Sequence, residues 1–273
     1  MRLLQHKREA YWFYRVLSVV YDRWVNPLFW TPEMRTRALA AAALDEPTLR
    51  TLDVGAGTGF TTEGIVEHVD ASRVTMLDQS PHQLARARDK PRIAACGKLL
   101  GDAESLPFPT DHFDRYVSAG SIEYWPDPPQ AIAEAFRVLR AGGRALVAGP
   151  VMPAHPVVRR LADAWMLFPT ERQYRDWFAR AGFTELATVP LAPRWYRSSR
   201  APYALAVSGV KPVAGASPYD GPPPAERLGA PLPPLDRARA AARFAAGSIA
   251  GAAFVPLAAA LAVRARIAGT RRR

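Results

Sequence analysis

The sequence predicts an α/β fold in which a parallel sheet, covered by helices on both faces, is completed to seven strands. Strand-like and helix-like segments alternate from residue 50 to about residue 149, as they do in parallel sheets. A glycine-rich turn joins the first strand to the first of these helices. Two further strand-like runs, near residues 183–189 and 203–210, bring the number of strands to seven.

The individual strands and helices follow from short local patterns. Apolar runs predict strands at residues 50–52, 73–77, 98–100, 113–118 and 143–148. Helices are predicted at residues 61–69, after Ser80, and at residues 129–140, 157–168 and 171–180. Ser80 and Pro81 are residue types that helices favour at the N-cap and at the first helical position.

The turn after the first strand, Asp53 to Phe60, reads DVGAGTGF. Its three glycines keep side chains out of the turn, so a ligand can approach the backbone N–H groups and the helix N-terminus. The dinucleotide fingerprint places its third glycine three residues after the second, whereas Gly59 follows Gly57 by only two. This spacing, with Gly55 before it and an acid at Asp53, is more typical of S-adenosylmethionine (SAM) methyltransferases than of NAD enzymes.

The next two strands also end in residues suited to a nucleoside. Asp78 ends the second strand, with Gln79 beside it, and its carboxylate can accept both hydroxyls of a ribose. The third strand ends in Gly101, Asp102 and Ala103, where an adenine would meet the protein. Three successive strand ends with glycine or an acid predict a Rossmann-like SAM site.

Composition limits the classes of partner. The 273-residue chain has one cysteine, so it forms no internal disulfide, and its net charge is +11. Residues 236–273 hold eight arginines and one acid, which leaves a net charge of only +4 for the rest. Because no basic stripe with interleaved aromatics crosses the core, we expect no nucleic-acid partner. We expect no metal site either.

Four regions are predicted. They are an aromatic-rich helical lid (1–45), a methyltransferase core (46–211), a linker (212–235) and a basic-flanked membrane-anchor helix (236–273). The lid segment has eight aromatics between Tyr11 and Trp30, and packing onto the core is the alternative to closure over a ligand. The linker is predicted from its eight prolines and three glycines among 24 residues.

The last region contains an uncharged run of 20 residues, 244–263, between Arg243 and Arg264. As a helix it would be ~30 Å long, enough to cross the hydrocarbon core of a bilayer. We expect attachment to a membrane with anionic head groups, either as a full span or as a half-inserted helix bent at Pro256. A soluble, alanine-rich helix packed on the core is the alternative. No transit peptide or signal peptide is evident at the N-terminus.

Long blocks of the chain resemble the plant and algal methyl-phytyl-benzoquinol (or methyl-solanesyl-benzoquinol) methyltransferases. The blocks are residues 12–35, 53–71, 77–85, 101–128 and 165–169. Residues 20–22 are more distantly similar to the ubiquinone/menaquinone C-methyltransferases. The resemblance implies methylation of a ring carbon of a prenylated quinol, and a core on the cytoplasmic or stromal face of a membrane. The absence of a transit peptide departs from the plant form and suggests a processed chain or a prokaryotic relative.

The resemblance also assigns residues to the cofactor. It implies that the three glycines carry the methionine end of SAM, that Asp78 binds the ribose, and that Asp102 and Ala103 meet the adenine. Ser118 and Ser121, after the fourth strand, would face the reactive methyl group.

Ring methylation would use a general base, since a quinol phenolate is a better carbon nucleophile than the neutral quinol. Glu123 follows the fourth strand and is our first prediction for this base, with Asp22 and His155 as the others. Glu123 could instead orient its loop or bind the ammonium group of SAM. The residues expected to contact the ring and prenyl tail are Tyr21, Tyr124, Trp125, Trp165 and Phe168.

Three alternatives to this function stay open on the sequence alone. A soluble SAM-dependent O- or N-methyltransferase would not need the uncharged C-terminal run. An NAD-dependent oxidoreductase is opposed by the glycine spacing. A catalytically silent membrane scaffold would not need the predicted cofactor residues.

Overall fold

The computed structural model describes residues 30–196 and 202–221, with seven isolated positions between 238 and 260. Within these residues the chain forms one seven-stranded sheet. Its strands are β1 (Thr51–Val54), β2 (Val74–Asp78), β3 (Gly97–Leu100), β4 (Phe113–Ala119), β5 (Leu139–Pro150), β6 (Thr184–Leu191) and β7 (Ala204–Val210). The predicted seven-stranded α/β fold is therefore confirmed.

The strand order across the sheet is β3-β2-β1-β4-β5-β7-β6. Strands β1 to β5 are parallel, and β7 runs antiparallel to both β5 and β6, so the sheet is mixed and not wholly parallel. After β3 the chain crosses to the other side of β1 to form β4. Open α/β sheets bind ligands at such a switch point, outside the carboxyl ends of the strands.

Six helices of the described residues cover the sheet. They are α1 (Pro32–Leu39), α2 (Phe60–Ile65), α3 (Pro81–Arg88), α4 (Pro128–Val138), α5 (Pro156–Trp165) and α6 (Glu171–Arg180). The predicted cap at Ser80 is present, since its hydroxyl accepts a hydrogen bond from the backbone N–H of Gln83, and the hydroxyl of Thr31 accepts one from Met34 at the start of α1. A capping box at Thr170 and Gln173 opens α6 in the same way.

The predicted helix at 61–69 is shorter in the structure, where α2 ends at Ile65. Gly64 lies so close to α1 that a Cβ on it would be 2.7 Å from a methyl group of Leu39 and 2.8 Å from Nε of Arg35. Gly64 therefore allows the close approach of α1 to α2, a contact that the local sequence does not contain.

The core lies on both faces of the sheet. Leu52 and Tyr116 belong to one buried cluster, and Met76 and Val117 belong to the other. All four side chains are fully buried, as expected for central strands covered on both sides. The core therefore fixes the sheet whose carboxyl edge carries the predicted site.

Residues 212–221, the first part of the predicted linker, lie against the core. The fully buried Lys211 donates from Nζ to Oδ1 of Asp111 at 2.6 Å and to the carbonyl of Gly215 at 2.6 Å. Ser217 donates to the carbonyl of Ala181 at 2.9 Å. This part of the segment is thus attached to the core by hydrogen bonds, although its proline content predicts a linker.

None of the helices within the described positions is long and apolar enough to cross a membrane. Most of the uncharged run 244–263 and the lid segment 1–29 lie outside the described residues.

Candidate functional site

The glycine turn connects β1 to α2 at the carboxyl edge of the sheet. Gly55, Gly57 and Gly59 all have positive φ angles, 70°, 55° and 88°. A Cβ on Gly55 would overlap Ser121, and one on Gly59 would overlap Ile93, so these two positions require glycine for close packing. A Cβ on Gly57 would meet no atom of the described residues within 4 Å. Gly57 therefore faces open space, as a backbone cradle for a ligand requires.

Asp78 ties the end of β2 to this turn. Its Oδ2 accepts a hydrogen bond from the backbone N–H of Gly57, and its Oδ1 accepts one from that of Ser80, both at 2.8 Å. The backbone N–H of Gly55 also donates to the carbonyl of Leu77 at 2.8 Å. The predicted ribose-binding carboxylate thus lies directly beside the glycine turn, with the half-buried Gln79 next to it.

Asp53 lies within β1, with its side chain toward α2, and is almost completely buried. Its Oδ2 accepts a hydrogen bond from the hydroxyl of Thr62 at 2.6 Å, and its Oδ1 has no partner in the described part of the chain. Burial raises the pKa of Asp53 to about 7, and the charge of Asp78 adds to the rise, while the Thr62 hydrogen bond opposes it. A cationic group near this carboxyl would relieve the cost of its burial, and the ammonium and sulfonium groups of SAM fit that requirement.

The loop after β3 is held by backbone and side-chain contacts. The N–H of Gly101 donates to the carbonyl of Asp78 at 3.1 Å, so the third strand end adjoins the second. Asp102 accepts from the N–H of Glu104 at 3.0 Å, and Asp102 and Ala103 are both half-buried. The two predicted adenine-binding residues therefore lie on the same edge as Asp78.

This loop is also clamped to α4, a contact that the sequence analysis missed. Glu134 accepts from the backbone N–H of Leu106 at 2.7 Å, and Arg137 donates to the carbonyls of Leu106 and Phe108 at 2.9 and 2.7 Å. Glu134 and Arg137 pair at 2.6 Å at an i,i+3 spacing on the helix. The sequence shows the spacing of this pair, but it does not show that the pair binds the backbone of Leu106 and Phe108, about 30 residues away.

Ser118 and Ser121 lie where β4 passes β1. Their hydroxyl oxygens are 2.5 Å apart, and Ser121 also donates to the carbonyl of Val54 at 3.4 Å. Both side chains are buried, and Ser121 packs directly over Gly55. The hydrogen bonds of the two serines connect the end of β4 to β1 at the switch point. That they face the reactive methyl group of SAM stays a prediction.

Glu123 lies in a single 3₁₀ turn, Ile122–Tyr124, just beyond β4. Its side chain is 8% exposed, and its Oε2 has no hydrogen-bond partner within the described ranges. Burial raises the pKa of Glu123 to about 7, opposed by a hydrogen bond from its own backbone N–H. A carboxyl that titrates near neutrality is suited to accept a proton from a substrate hydroxyl.

The segment before α6 packs against this turn. The N–H of Leu167 donates to the carbonyl of Glu123 at 3.3 Å, and Phe168 is buried next to it in sequence. Tyr124 and Trp125 are buried as well, and Trp125 belongs to the same core cluster as Ile122. Three of the five predicted substrate contacts therefore lie near Glu123. Tyr124 is part of the same turn and Trp125 follows it. Phe168 follows Leu167, which donates the hydrogen bond to Glu123.

The other predicted site residues are not brought to this turn by the described structure. His155 is exposed at the residue before α5. Trp165 ends α5, and its side chain is not described. Tyr21 and Asp22 lie outside the described residues. Their roles stay predictions.

Two residues next to Glu123 were also missed. Tyr174 on α6 is fully buried, and its hydroxyl donates to the carbonyl of Pro150 at 3.1 Å. Gly149, at the end of β5, lies against both Tyr174 and the Glu123 turn. Tyr174 and Phe178 show the i,i+4 spacing of a helix that packs on a core. This spacing indicates that Tyr174 is buried, but it does not indicate that Tyr174 lies near Glu123.

Within the described positions, no group of three or more His, Cys, Asp or Glu side chains is arranged to hold a metal ion. The arrangement offers instead an open backbone position at Gly57 and the acids Asp78 and Asp102 at strand ends on the same edge. It also offers the buried carboxyl of Glu123, whose pKa is about 7. These features suit a cationic nucleoside cofactor and a proton transfer from the second substrate.

Comparison with known proteins agrees with this arrangement. Residues 52–147 match the family model described as a methyltransferase domain. The chain is 51% identical over 257 residues to the chloroplastic 2-methyl-6-phytyl-1,4-hydroquinone methyltransferase of Arabidopsis thaliana, covering 93% of this chain and 75% of that protein. It is 32% identical over 124 residues to a ubiquinone/menaquinone biosynthesis C-methyltransferase of Shewanella halifaxensis, covering 44% and 49%.

Among solved structures, the fold is similar to that of geranyl diphosphate C-methyltransferase from Streptomyces coelicolor, whose crystal contains S-adenosylhomocysteine. The TM-score is 0.56 at 15% identity, and the match covers 66% of this chain and 78% of that one. This likeness is one of fold. The sequence identity over most of both chains carries the assignment: the chain belongs to the family of 2-methyl-6-phytyl-1,4-hydroquinone methyltransferases and is a SAM-dependent methyltransferase.

Proposed function

We propose that this chain methylates an aromatic ring carbon of a prenylated hydroquinone carried by a membrane. The observation that carries the proposal is the identity, over almost the whole chain, to a methyltransferase named for 2-methyl-6-phytyl-1,4-hydroquinone. The buried Glu123 at the carboxyl edge of the sheet supports a reaction that needs a proton acceptor.

The cofactor residues divide along the three strand ends. Gly55, Gly57 and Gly59 hold the methionine end of SAM against the backbone, with Asp53 behind them as the counter-charge. Asp78, with Gln79, binds the ribose, and Asp102 and Ala103 bind the adenine. Ser118 and Ser121 lie toward the methyl group. Among the described residues, no atom fills the space over Gly57 and no group hydrogen-bonds to Oδ1 of Asp53, which supports this placement.

When bound, SAM supplies an electrophilic methyl group on a sulfonium. The protein must then make a ring carbon nucleophilic and hold it in line, with reacting atoms ~3–3.5 Å apart. Glu123 accepts the proton of the quinol hydroxyl, which raises the electron density on the ortho carbon. After transfer, that carbon loses its own proton to water and the proton on Glu123 returns to the ring oxygen, so the ring becomes aromatic again. Tyr124, Trp125 and Phe168 exclude water around the ring, with Trp165 and Tyr21 as further proposed contacts.

The proposed reaction is tested by product analysis. The full-length protein is incubated with SAM labelled in its methyl group and with 2-methyl-6-phytyl-1,4-hydroquinone dispersed in detergent. Mass spectrometry and NMR then locate the label, and we expect it on a ring carbon. A label on oxygen, or none on the quinol, would contradict the proposal.

The role of Glu123 is tested by Glu123→Gln, which keeps the shape of the side chain. We expect turnover to fall by ~10²-fold with SAM affinity unchanged, as loss of a general base should produce. The matched control is Glu46→Gln, at an exposed position before β1, which should keep full turnover. Wild-type turnover of Glu123→Gln at neutral pH would exclude Glu123 and make Asp22 the next residue to test.

The same proposal attaches the chain to a membrane through its C-terminal run 244–263. The support is the length of that uncharged run and the arginines on both sides of it, which suit anionic head groups at ~1 kcal/mol each. The core then faces the compartment that supplies SAM, which is the cytoplasm or, in a plastid, the stroma. Full-length chain that fractionates as soluble without detergent would contradict the attachment. Deletion of residues 236–273 is expected to release an active enzyme.

A further inference from the structure

The end of β5 carries a glycine that closes against the turn holding Glu123. Gly149 is buried and pairs with Leu205 of β7. A Cβ on Gly149 would overlap Cγ2 of Ile122, and it would lie 2.6 Å from the hydroxyl oxygen of Tyr174. The same Cβ would lie 3.6 Å from Oε2 of Glu123. Any side chain at this position would therefore push the Glu123 turn away from β5 and α6.

Tyr174 reaches the same point from the other side. Its hydroxyl hydrogen is used by the carbonyl of Pro150, at 3.1 Å, so the hydroxyl does not donate to Glu123. The hydroxyl oxygen can therefore only accept a further hydrogen bond. Among the described residues, no group donates a hydrogen bond to Oε2 of Glu123. Burial raises the pKa of the Tyr174 hydroxyl, and the charge of Glu123 adds to the rise.

We propose that Gly149 and Tyr174 are positioning residues that hold the Glu123 carboxyl against the end of β5 without giving it a hydrogen-bond donor. The inference rests on the proposed role of Glu123 as the proton acceptor. A donor at Oε2 would stabilise the carboxylate and make it a weaker base, whereas an oxygen lone pair beside it does the opposite. Gly149 sets the distance between the Glu123 turn and β5, and the Pro150 carbonyl sets the direction of the Tyr174 O–H bond.

The contribution of Gly149 is tested by Gly149→Ala in the full-length enzyme. We expect kcat to fall by about tenfold or more, with SAM affinity within about twofold of wild type, since the glycine turn is untouched. The matched control is Gly209→Ala, a buried and crowded glycine of β7 whose Cβ would meet Leu186 at 2.8 Å. The control should lose stability but keep kcat. Equal kcat values for the two variants would overturn the inference for Gly149.

The contribution of Tyr174 is tested by Tyr174→Phe, a conservative change that should fold. Removal of the hydroxyl oxygen removes a repulsion from the Glu123 carboxylate, so we expect the acid limb of the kcat–pH profile to move to lower pH. The plateau value of kcat should fall by a few-fold because the base is weaker. The control is Tyr116→Phe, which changes another fully buried tyrosine, on β4, whose hydroxyl has no hydrogen-bond partner among the described residues. A Tyr174→Phe profile that coincides with that of Tyr116→Phe would overturn the inference.

Combining the changes separates this inference from the proposed function. If both positions act through Glu123, Gly149→Ala and Tyr174→Phe together should cost less than the product of their separate effects. Wild-type turnover of Glu123→Gln would refute the proposed base itself. Loss of activity in Glu123→Gln, with unshifted profiles and multiplicative effects in the other variants, would refute only the positioning roles.

Discussion

The carboxyl edge of the sheet has two halves, each with a buried carboxyl, and they are built in different ways. In the cofactor half, Asp53 lies below a glycine turn that is fixed by backbone hydrogen bonds to β2 and by Asp78. In the substrate half, Glu123 lies in a short turn that accepts a hydrogen bond from the segment before α6 and lies against Gly149 of β5, which Tyr174 also approaches. In both carboxyls one oxygen has no described partner, and burial raises the pKa of each to about 7.

The difference concerns how far each half depends on distant parts of the chain. The cofactor half is made from consecutive strand ends, so its geometry follows from strand register and turn conformation. The substrate half joins Glu123 to Tyr174, 51 positions later in the sequence, by tertiary packing alone. We therefore expect changes in the first half to act on cofactor binding and changes in the second half to act on turnover.

The largest expected effect is that of Gly57→Val on SAM binding. A β-branched side chain would fill the open space over the turn, and valine tolerates a φ of 55° poorly, so affinity should fall by ~10²-fold or more. Gly142→Val is the matched control, since Gly142 also has a positive φ, 76°, and no described atom near its Cβ position, but is exposed where β5 shifts register against β4. Calorimetry of both folded variants separates backbone strain from loss of the cradle. Wild-type affinity of Gly57→Val for SAM would contradict the assignment of cofactor binding to the glycine turn.

The same contrast explains what the sequence predicted. The three strand ends were predicted because strand, glycine and acid are adjacent in sequence, and α6 was predicted at the bounds that the structure shows. The antiparallel direction of β7 was not predicted, since it depends on which neighbours it pairs with. Neither Gly149 nor Tyr174 was predicted, because their function depends on contacts with residues at least 24 positions away.

The second expected effect is on the pH dependence of turnover. If Glu123 is the base in the substrate complex, kcat should decrease below pH 7 by up to about tenfold per pH unit, as protonation removes the base. Asp53→Asn should keep this acid limb, whereas Glu123→Gln should give a low and nearly flat profile. Measurement of kcat from pH 5 to 9 for the three enzymes decides between the two carboxyls. A flat profile in Asp53→Asn would assign the limb to the cofactor half.

The smallest expected effect is on the stability of the protein without SAM. Because burial raises the pKa of Asp53 to about 7, the folded state holds a proton that the unfolded state has released above about pH 4. The free energy of unfolding therefore decreases as pH rises from 4 toward 7, and the full penalty is present above 7. Asp53→Asn keeps an oxygen for the Thr62 hydroxyl and removes this charge, so it should stabilise the protein at pH 8 by on the order of 1 kcal/mol.

At pH 5 the stability difference between Asp53→Asn and wild type should be smaller, and SAM affinity should be weaker in the variant at both pH values. The control is Asp89→Asn, at an exposed position at the end of α3, which should change neither quantity. Thermal unfolding with and without SAM measures both effects in one experiment. A variant that is more stable without SAM but gains less stability from it would show that this buried carboxyl is retained for the cofactor and at a cost to the fold. Equal stability at both pH values would mean that the folded protein does not hold the proton, and the two halves of the site would then differ in charge as well as in construction.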